Sequence, residues 1–482
     1  LFRHSNFRTS ANTDAYSGGA LNYTQEERRY GVYANVTLDY SDYLFLNVSA
    51  RNDWTSTVEQ ENRSILYPGG SVSFIPTTAF GWNSPIVNDL KLRLGYGTSA
   101  GYPNPYRTRN ILSQVSRAFD RDGVVTTTHS VADFLGNPNL KPELHGELEF
   151  GMEAVMFNNK LRFDLSLYEK NTRDLITEAP IDPSTGFTFT AVNIGKIRTR
   201  GAEFQATVTP FSTASGFEWN STINWATYRS IVIELGSGLE EVVVAGFTDL
   251  GNFAIPGQPF NIIKGIGFDR APDGQPIILS NGVHKPTNQP VVLGDPNPAW
   301  TGSFINSFSY KGFTLNFMME YRHKGVIFSN TVTATLARGV TKDPVADREL
   351  TFIMPGVRQD GTNADGSPRY IPNDYQISAS DYFFSGYQGA TDEPNVFDGS
   401  MVRLREVSLS YSLPSALMAK TPFKRASFAL SGTNLWFLAL NFPPNMNYDV
   451  DVLGTGVGNG LGFDFVTGPS SRRLGGTLTL TF

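Results

Sequence analysis

Apolar and polar residues alternate with a period of two over long stretches of this chain. Across 160–170, Leu161, Phe163, Leu165 and Leu167 fall on one side of an extended backbone, and Arg162, Asp164, Ser166 and Tyr168 on the other. Over 89–97, Leu90, Leu92, Leu94 and Tyr96 oppose Lys91, Arg93, Gly95 and Gly97. Between 146 and 153, Leu148, Phe150 and Met152 alternate with Glu147, Glu149 and Glu153. Three carboxylates on one strand face are costly in a dry core and tolerable in water. The stretch 313–322 sets Phe313, Leu315, Phe317, Met319 and Tyr321 against Thr314, Asn316, Met318, Glu320 and Arg322, and 474–482 alternates up to Phe482. Strands this long with polar second faces predict an all-β, transmembrane antiparallel β-barrel with lipid outside and water inside.

The connections fall into two classes. Tyr40-Ser41-Asp42, Phe157-Asn158-Asn159-Lys160 and Tyr310-Lys311-Gly312-Phe313 read as tight hairpin turns. The segments 99–142, 271–299, 329–400 and 440–469 are long and rich in Gly, Pro, Asn and Asp. Outer-membrane barrels alternate short periplasmic turns with longer extracellular loops. With Phe482 at the periplasmic end, strands are expected near 27–41, 43–54, 66–80, 88–98, 143–157, 160–176, 189–210, 217–235, 240–249, 260–270, 300–311, 313–328, 401–413, 425–438 and 470–482. Every long loop then lies outside and every tight turn inside, provided that 236–259 holds a strand. The total of about fifteen is odd, whereas bacterial single-chain barrels have even numbers. By the same parity, residues 1–26 form the end of an extracellular loop, and 27–482 form a C-terminal portion of the barrel.

Composition agrees. The 482 residues carry 17 % charged, 40 % hydrophobic and 13 % aromatic residues, with 46 Gly and a mean hydropathy of -0.22. Low charge without high hydropathy suits strands that show only alternate residues to lipid. No window approaches the 18 or more apolar residues of a membrane helix. Leu1-Phe2-Arg3-His4 does not have the form of a secretory signal, as expected of a mature or truncated chain. Cysteine is absent, which rules out disulfides and thiolate metal sites. A net charge of -6 argues against a nucleic-acid partner.

Several motifs, in order, resemble the SusC/RagA family of TonB-dependent outer-membrane transporters. The run from Leu44 to Trp54 (LFLNVSARNDW) looks like the family's strand ending in an "R-x-D" step. Leu90 to Gly97 (LKLRLGYG) is similar to its "LKLRxSYG" strand, and Asn137 to Glu143 (NPNLKPE) to its "NPxLKxE" step. Gly294 to Trp300 (GDPNPAW) followed by Tyr310 to Phe313 (YKGF) resembles its "G(D/N)PxPxW…YKxF" hairpin. Met401 to Pro414 (MVRLREVSLSYSLP) resembles "FVRLRxVSLxYxLP", and Ser431 to Leu435 (SGTNL) resembles "SGxNL".

The resemblance implies a plugged barrel of about 22 strands. It further implies a plug carrying a TonB box that engages the TonB complex, and a SusD-like surface lipoprotein lying over the mouth as a lid. On this reading the plug is absent from the chain, whose partners are the N-terminal remainder of the same transporter and outer-membrane lipid. No cofactor is implied. The activity is active import of a large nutrient, oligosaccharide or oligopeptide, without covalent chemistry, so the protein is not an enzyme. The terminal Phe482 resembles the family's membrane-assembly end. A passive porin or adhesin-type barrel is the alternative, and a secreted β-rich glycan-binding or hydrolase module a second one.

Candidate chemistry is sparse. His4, His129, His145, His284 and His323 show no metal-ligand spacing. Asp360 to Gly366 looks like a calcium loop, but registration on Gly366 puts Gly361 and Pro372 at ligand positions, so it reads as a turn-rich outer loop. Gly454 to Gly460 lacks the flanking strand and helix of a dinucleotide site. Glu147, Glu149, Glu153 and Glu320 read as lumen residues paired with arginines such as Arg162 or Arg322. Arg403 and Arg405 share parity with the lipid-facing Val407, Leu409 and Tyr411, so either a bulge near Glu406 shifts the register, the preferred reading, or the arginines snorkel at the outer rim. In the long loop 329–400, Tyr382, Phe383, Phe384 and Tyr387 are the candidate contacts to substrate or lid, with packing of the loop on its neighbours as the alternative.

Overall fold

The computed structural model describes residues 25–121, 124–236, 239–341, 348–383, 391–443, 446–451 and 460–482. Thirteen long strands form an antiparallel meander: β1 (Arg29–Tyr40), β2 (Leu44–Thr55), β3 (Ser64–Phe74), β4 (Val87–Gly101), β5 (Glu143–Met156), β6 (Leu161–Pro180), β7 (Phe189–Ser212), β8 (Glu218–Glu234), β9 (Trp300–Tyr310), β10 (Phe313–His323), β11 (Val396–Ser412), β12 (Arg425–Asn441) and β13 (Arg473–Thr481). Each pairs with the next, so the order in space is the order in the chain. Short strands at Phe134–Leu135, Val326–Ser329 and Phe463–Asp464 bring the sheet to 16 among the described residues. This is the large sheet of a transmembrane barrel.

The hairpin chemistry is visible in the dihedrals. Ser41 and Asp42 have φ of 54° and 59°, and Lys311 and Gly312 have 48° and 89°. Positive φ at both central residues makes the turn whose twist matches its flanking strands. Phe157, Asn158 and Asn159 adopt positive φ in the same way between β5 and β6.

Two expected wall strands lie elsewhere. Of 240–249 and 260–270, only Val242–Gly246 and Ile262–Gly265 are extended, and they join Gly251–Ala254 and Val291–Gly294 in a separate four-stranded sheet. β8 instead pairs directly with β9, Trp225 facing Gly302. Because a pair of strands leaves the wall together, the alternation of turns and loops survives. The physical reason is their environment. Ile262, Ile263, Phe253 and Ala254 are buried on both faces, which a wall strand between lipid and water is not.

The two faces of the wall follow from register. One lateral row runs Leu38, Leu46, Val72, Leu94, Phe150, Leu167 on neighbouring strands. Most of these side chains are exposed in the isolated chain, as a lipid-facing surface is. The opposite face carries Lys91, Glu153, Asp164, Gln205, Asn224, Ser303, Glu320 and Arg403, each cross-strand from the next. Aromatic rings collect at the tight-turn end: Tyr40, Tyr43, Phe74, Phe80 and Trp82 form one chain of contacts, and Phe211, Trp219 and Phe308 another. Tyr30 stacks on Trp54 at the other end of β1. The ten residues between Tyr30 and Tyr40, at about 3.3 Å each and a tilt of about 40°, rise about 25 Å, the height of an outer-membrane apolar band.

Short helices at Pro76–Ala79 and Ser415–Met418 sit at the tight-turn end, and most of the other described residues fold at the long-loop end. The described residues of the three long segments that follow β8, β10 and β12 interlock around small apolar cores, among them Ile263, Phe328 and Phe463 in one, and Val332, Leu336, Ala379, Phe383 and Phe397 in another. Asp464 joins two of these loops. Its carboxylate accepts from the Ser329 hydroxyl (2.7 Å) and the Thr331 amide (3.1 Å) at the start of the helix Asn330–Ala337. Asn252, fully buried, clamps a third segment by donating to the Leu461 carbonyl and accepting from its amide, both at 3.0 Å.

Candidate functional site

The chemistry-bearing surface is the polar inner face of the wall. Its carboxylates are compensated chiefly by two arginines. Arg93 on β4 reaches Glu153 on β5 and Asp164 on β6, the latter at 3.0 Å, with Lys91 at 3.5 Å from Glu153. Arg405 on β11 pairs with Glu320 at 2.6 Å. The pairing arginines are therefore Arg93 and Arg405, not the expected Arg162 and Arg322. Arg322 donates to the Pro296 carbonyl instead, at 2.8 Å. Between the charged ends lies a neutral floor, in which Gln205 donates to Asn224 (2.7 Å) and Asn224 to Ser303 (3.0 Å). These residues line a recess of about 600 Å³, bounded also by Glu203, Arg322, Arg405 and Asp451.

The expected bulge is present. Met318 faces Glu406, but Met319 faces Leu404, so Arg405 is the extra residue. A matching irregularity on β12 skips Asn434 and Leu435, and Asn434, at φ 53°, accepts from Arg405 at 3.1 Å. The shift carries Arg403 to the inner face, opposite Glu320, where it is only 2 % exposed. There it pairs with Asp449 and, at 2.9 Å, with Asp451. Asp451 also accepts from Arg405 at 3.0 Å. Sequence reading found the two arginines through their parity conflict. It missed both aspartates, because a partner 46 residues away leaves no periodic trace.

Where the aromatic cluster of the long loop is described, Phe383 packs inward and Tyr382 lies over it, part-exposed. Phe383 is buried with Val332, Leu336, Ala379 and Phe397, and the Arg348 guanidinium lies 4.4 Å from its ring centre. Tyr382 is half-buried, edge-on to Phe352 and Phe383. Phe384 and Tyr387 lie outside the described residues. Phe482 is exposed and contacts Phe423, ring centres 5.0 Å apart. The calcium-like run is a hairpin between Val357–Thr362 and Pro368–Pro372 in which Asp360 meets Arg369 at 2.5 Å.

Outside the wall, specific contacts shift several acids. A hydrogen-bonded guanidinium, Arg109, holds the Glu59 carboxyl down to about 2, tying the β2–β3 connection to the loop after β4. Burial alone pushes Asp464 up, but hydrogen bonds from Thr467, Thr331 and Ser329 outweigh it and hold it below the ordinary carboxylate range. Burial also depresses His284, whose ring stacks on Phe268 at 3.8 Å.

Residues 2–340 match the family described as "TonB dependent receptor-like, beta-barrel". Among curated relatives, TonB-dependent receptor P26 of Formosa agariphila is 28 % identical over 93 % of this chain and 46 % of its own length. TonB-dependent receptor P3 of the same organism is 25 % identical over 96 % and 47 %. The chain thus spans about half the length of the curated relatives it matches. Among solved structures, the RagAB peptide importer in its "closed-closed" state superposes with a TM-score of 0.70 at 19 % identity, covering 94 % of this chain and 48 % of that one. That likeness shows a shared fold. Given the family match, the inner face is the lumen of an outer-membrane barrel. With an antiparallel wall, an apolar outer band, a wet charged inner face and this match over most of its length, the chain belongs to the TonB dependent receptor-like, beta-barrel family.

Proposed function

We propose that this chain is the C-terminal wall and mouth of an active importer. It would take up a large nutrient, an oligosaccharide or oligopeptide, driven by the TonB complex through a plug in the lumen. A SusD-like surface lipoprotein closes the mouth. Residues 1–26 are then the end of an outer loop, and 27–482 the wall with its loops. The observation that carries the reading is the pairing of a continuous polar lumen row from Lys91 to Arg403 with a folded extracellular mouth. A passive pore needs only the first. β1 and β13 each have one unpaired edge among the described residues, and an open edge in lipid is untenable. The N-terminal remainder of the transporter supplies the closing strands on this reading. In the loop 329–400, Tyr382 is the described residue we assign to contact with cargo or lid, with Phe383 beneath it as support; Phe384 and Tyr387 complete the assignment.

The test uses the full transporter in its native outer membrane. Labelled oligosaccharide and oligopeptide mixtures are offered to wild-type cells, to cells lacking the transporter and to cells lacking TonB. One mixture should accumulate only where both are present, and affinity-purified transporter should bring down a surface lipoprotein. Uptake that persists without TonB would overturn active import in favour of a pore.

A further inference from the structure

We propose that Arg403 and Arg405 are positioning residues that clasp the extracellular segment 446–451 inside the lumen, making it a fixed wall of the recess. This goes beyond the import reading and does not depend on which nutrient is carried. The segment folds back along the outer end of β12, where Asn447 donates to the Phe437 carbonyl (2.8 Å) and accepts from the Ala439 amide (2.9 Å). Val450, 1 % exposed, enters an apolar cluster with Ile327 and Met401. On either side of it Asp449 and Asp451 meet Arg403, and Asp451 continues to Arg405. Asp449 is 6 % exposed, so the pair is desolvated as well as charged. Phe437, cross-strand from Arg403, lies 5.9 Å from its guanidinium and closes the far side. The bulge is what makes the clasp possible, since an unbulged β11 would point both arginines at lipid. Further along, 460–464 is held by Asn252 and by pairing of Phe463–Asp464 with Phe328–Ser329. Arg405 and Asp451 both line the 600 Å³ recess, so the clasp sets its outer boundary. Removing Arg403 strips the buried Asp449 of its guanidinium, and removing Asp449 leaves the buried Arg403 only the more exposed Asp451, so either change should lift the segment.

The chain has no cysteine, so a thiol introduced as Val450→Cys in a cysteine-free full-length transporter reports on the segment. Its rate of reaction with a membrane-impermeant maleimide is measured on intact cells. Burial keeps the parent slow. Arg403→Met or Asp449→Asn should raise the rate by about tenfold or more, because local opening now exposes the site. Arg403→Lys keeps the cation but not the fork that reaches both aspartates, and should give a rate between the parent and Arg403→Met. Parent-like rates in Arg403→Met and Asp449→Asn proteins that still show a heat-modifiable barrel would overturn the proposal. If neither variant assembles, Asp451→Asn, at the half-exposed rim, decides: a several-fold rise supports the clasp and an unchanged rate removes it.

Discussion

The wall and the long loops of this chain are stabilised in opposite ways. In the wall, large apolar side chains such as Leu46, Leu94, Leu148 and Phe150 point outward and remain exposed in the isolated chain. Interior positions such as Glu149, Gln205 and Asn224 are polar. In the loops, Ile263, Phe328, Val332, Phe383 and Phe463 are buried as in a water-soluble domain. The wall is held by its backbone ladder, because in lipid an unpaired peptide group costs several kcal/mol and apolar burial between strands gains little. The loops stand in water and rely on apolar burial, at about 25 cal/mol per Å². The same chain therefore obeys two hydrophobicity rules, and the boundary between them is the outer end of the strands.

Substitutions can break that contrast. The largest effect is expected for Phe463→Ala, which empties a loop core and should cost about 3–5 kcal/mol locally. Hydrogen exchange should rise in 235–299 and 324–341 while the wall amides stay protected; loss of wall protection would show that the regions are one cooperative unit. Next, Phe150→Arg at mid-strand on the lipid face should cost about 2–4 kcal/mol, whereas Glu147→Gln on the lumen face should stay within about 0.5 kcal/mol. Denaturant titration of the full transporter refolded into bilayers separates the two. Equal effects would mean that the face assignment is wrong. Smaller again is Asp464→Ala, which removes the acceptor of the Thr331 amide and of the Ser329 N-cap hydroxyl and should cost about 1–2 kcal/mol, read as faster proteolysis near 330–337.

The smallest effect is a pH dependence confined to the loops. The Glu59 carboxyl is lowered to about 2 by Arg109. A carboxyl whose folded value is depressed stabilises above its unfolded value, about 4.5, and loses that contribution as pH falls through about 2. Acidification from about 4.5 to 2 should therefore free the loop after β4 from the β2–β3 connection. Exchange at 102–110 should report this, and Glu59→Gln should abolish the pH step. Glu59 is part-exposed and screened, so the step is small.

Much of the wall was legible without coordinates. Its strands alternate with period two, its turns carry residues that tolerate positive φ, and each strand pairs with its neighbour in sequence, so local pattern and final contact coincide. The parity conflict at Arg403 and Arg405 pointed to a bulge or to snorkelling at the rim, and the bulge is what the fold contains. The lumen ion pairs were legible only as a class, since Glu320 could see Arg322 in sequence but meets Arg405 in space. The loops were not legible. The segments 240–249 and 260–270 have apolar runs as suitable for a wall strand as for a buried loop sheet, and nothing local separates the two.

What the sequence determined by itself was the alternating wall, its two faces and the side on which long loops emerge, because those depend on periodicity and on contacts between chain neighbours. Tertiary structure alone decided that two apolar segments leave the wall, that Phe383 is a core residue, and that Asp449 and Asp451 return to the lumen arginines. Those outcomes rest on partners tens to hundreds of residues apart, as between Asn252 and Leu461. Such pairings are selected by burial and charge compensation in the assembled fold, and no period along the chain encodes them.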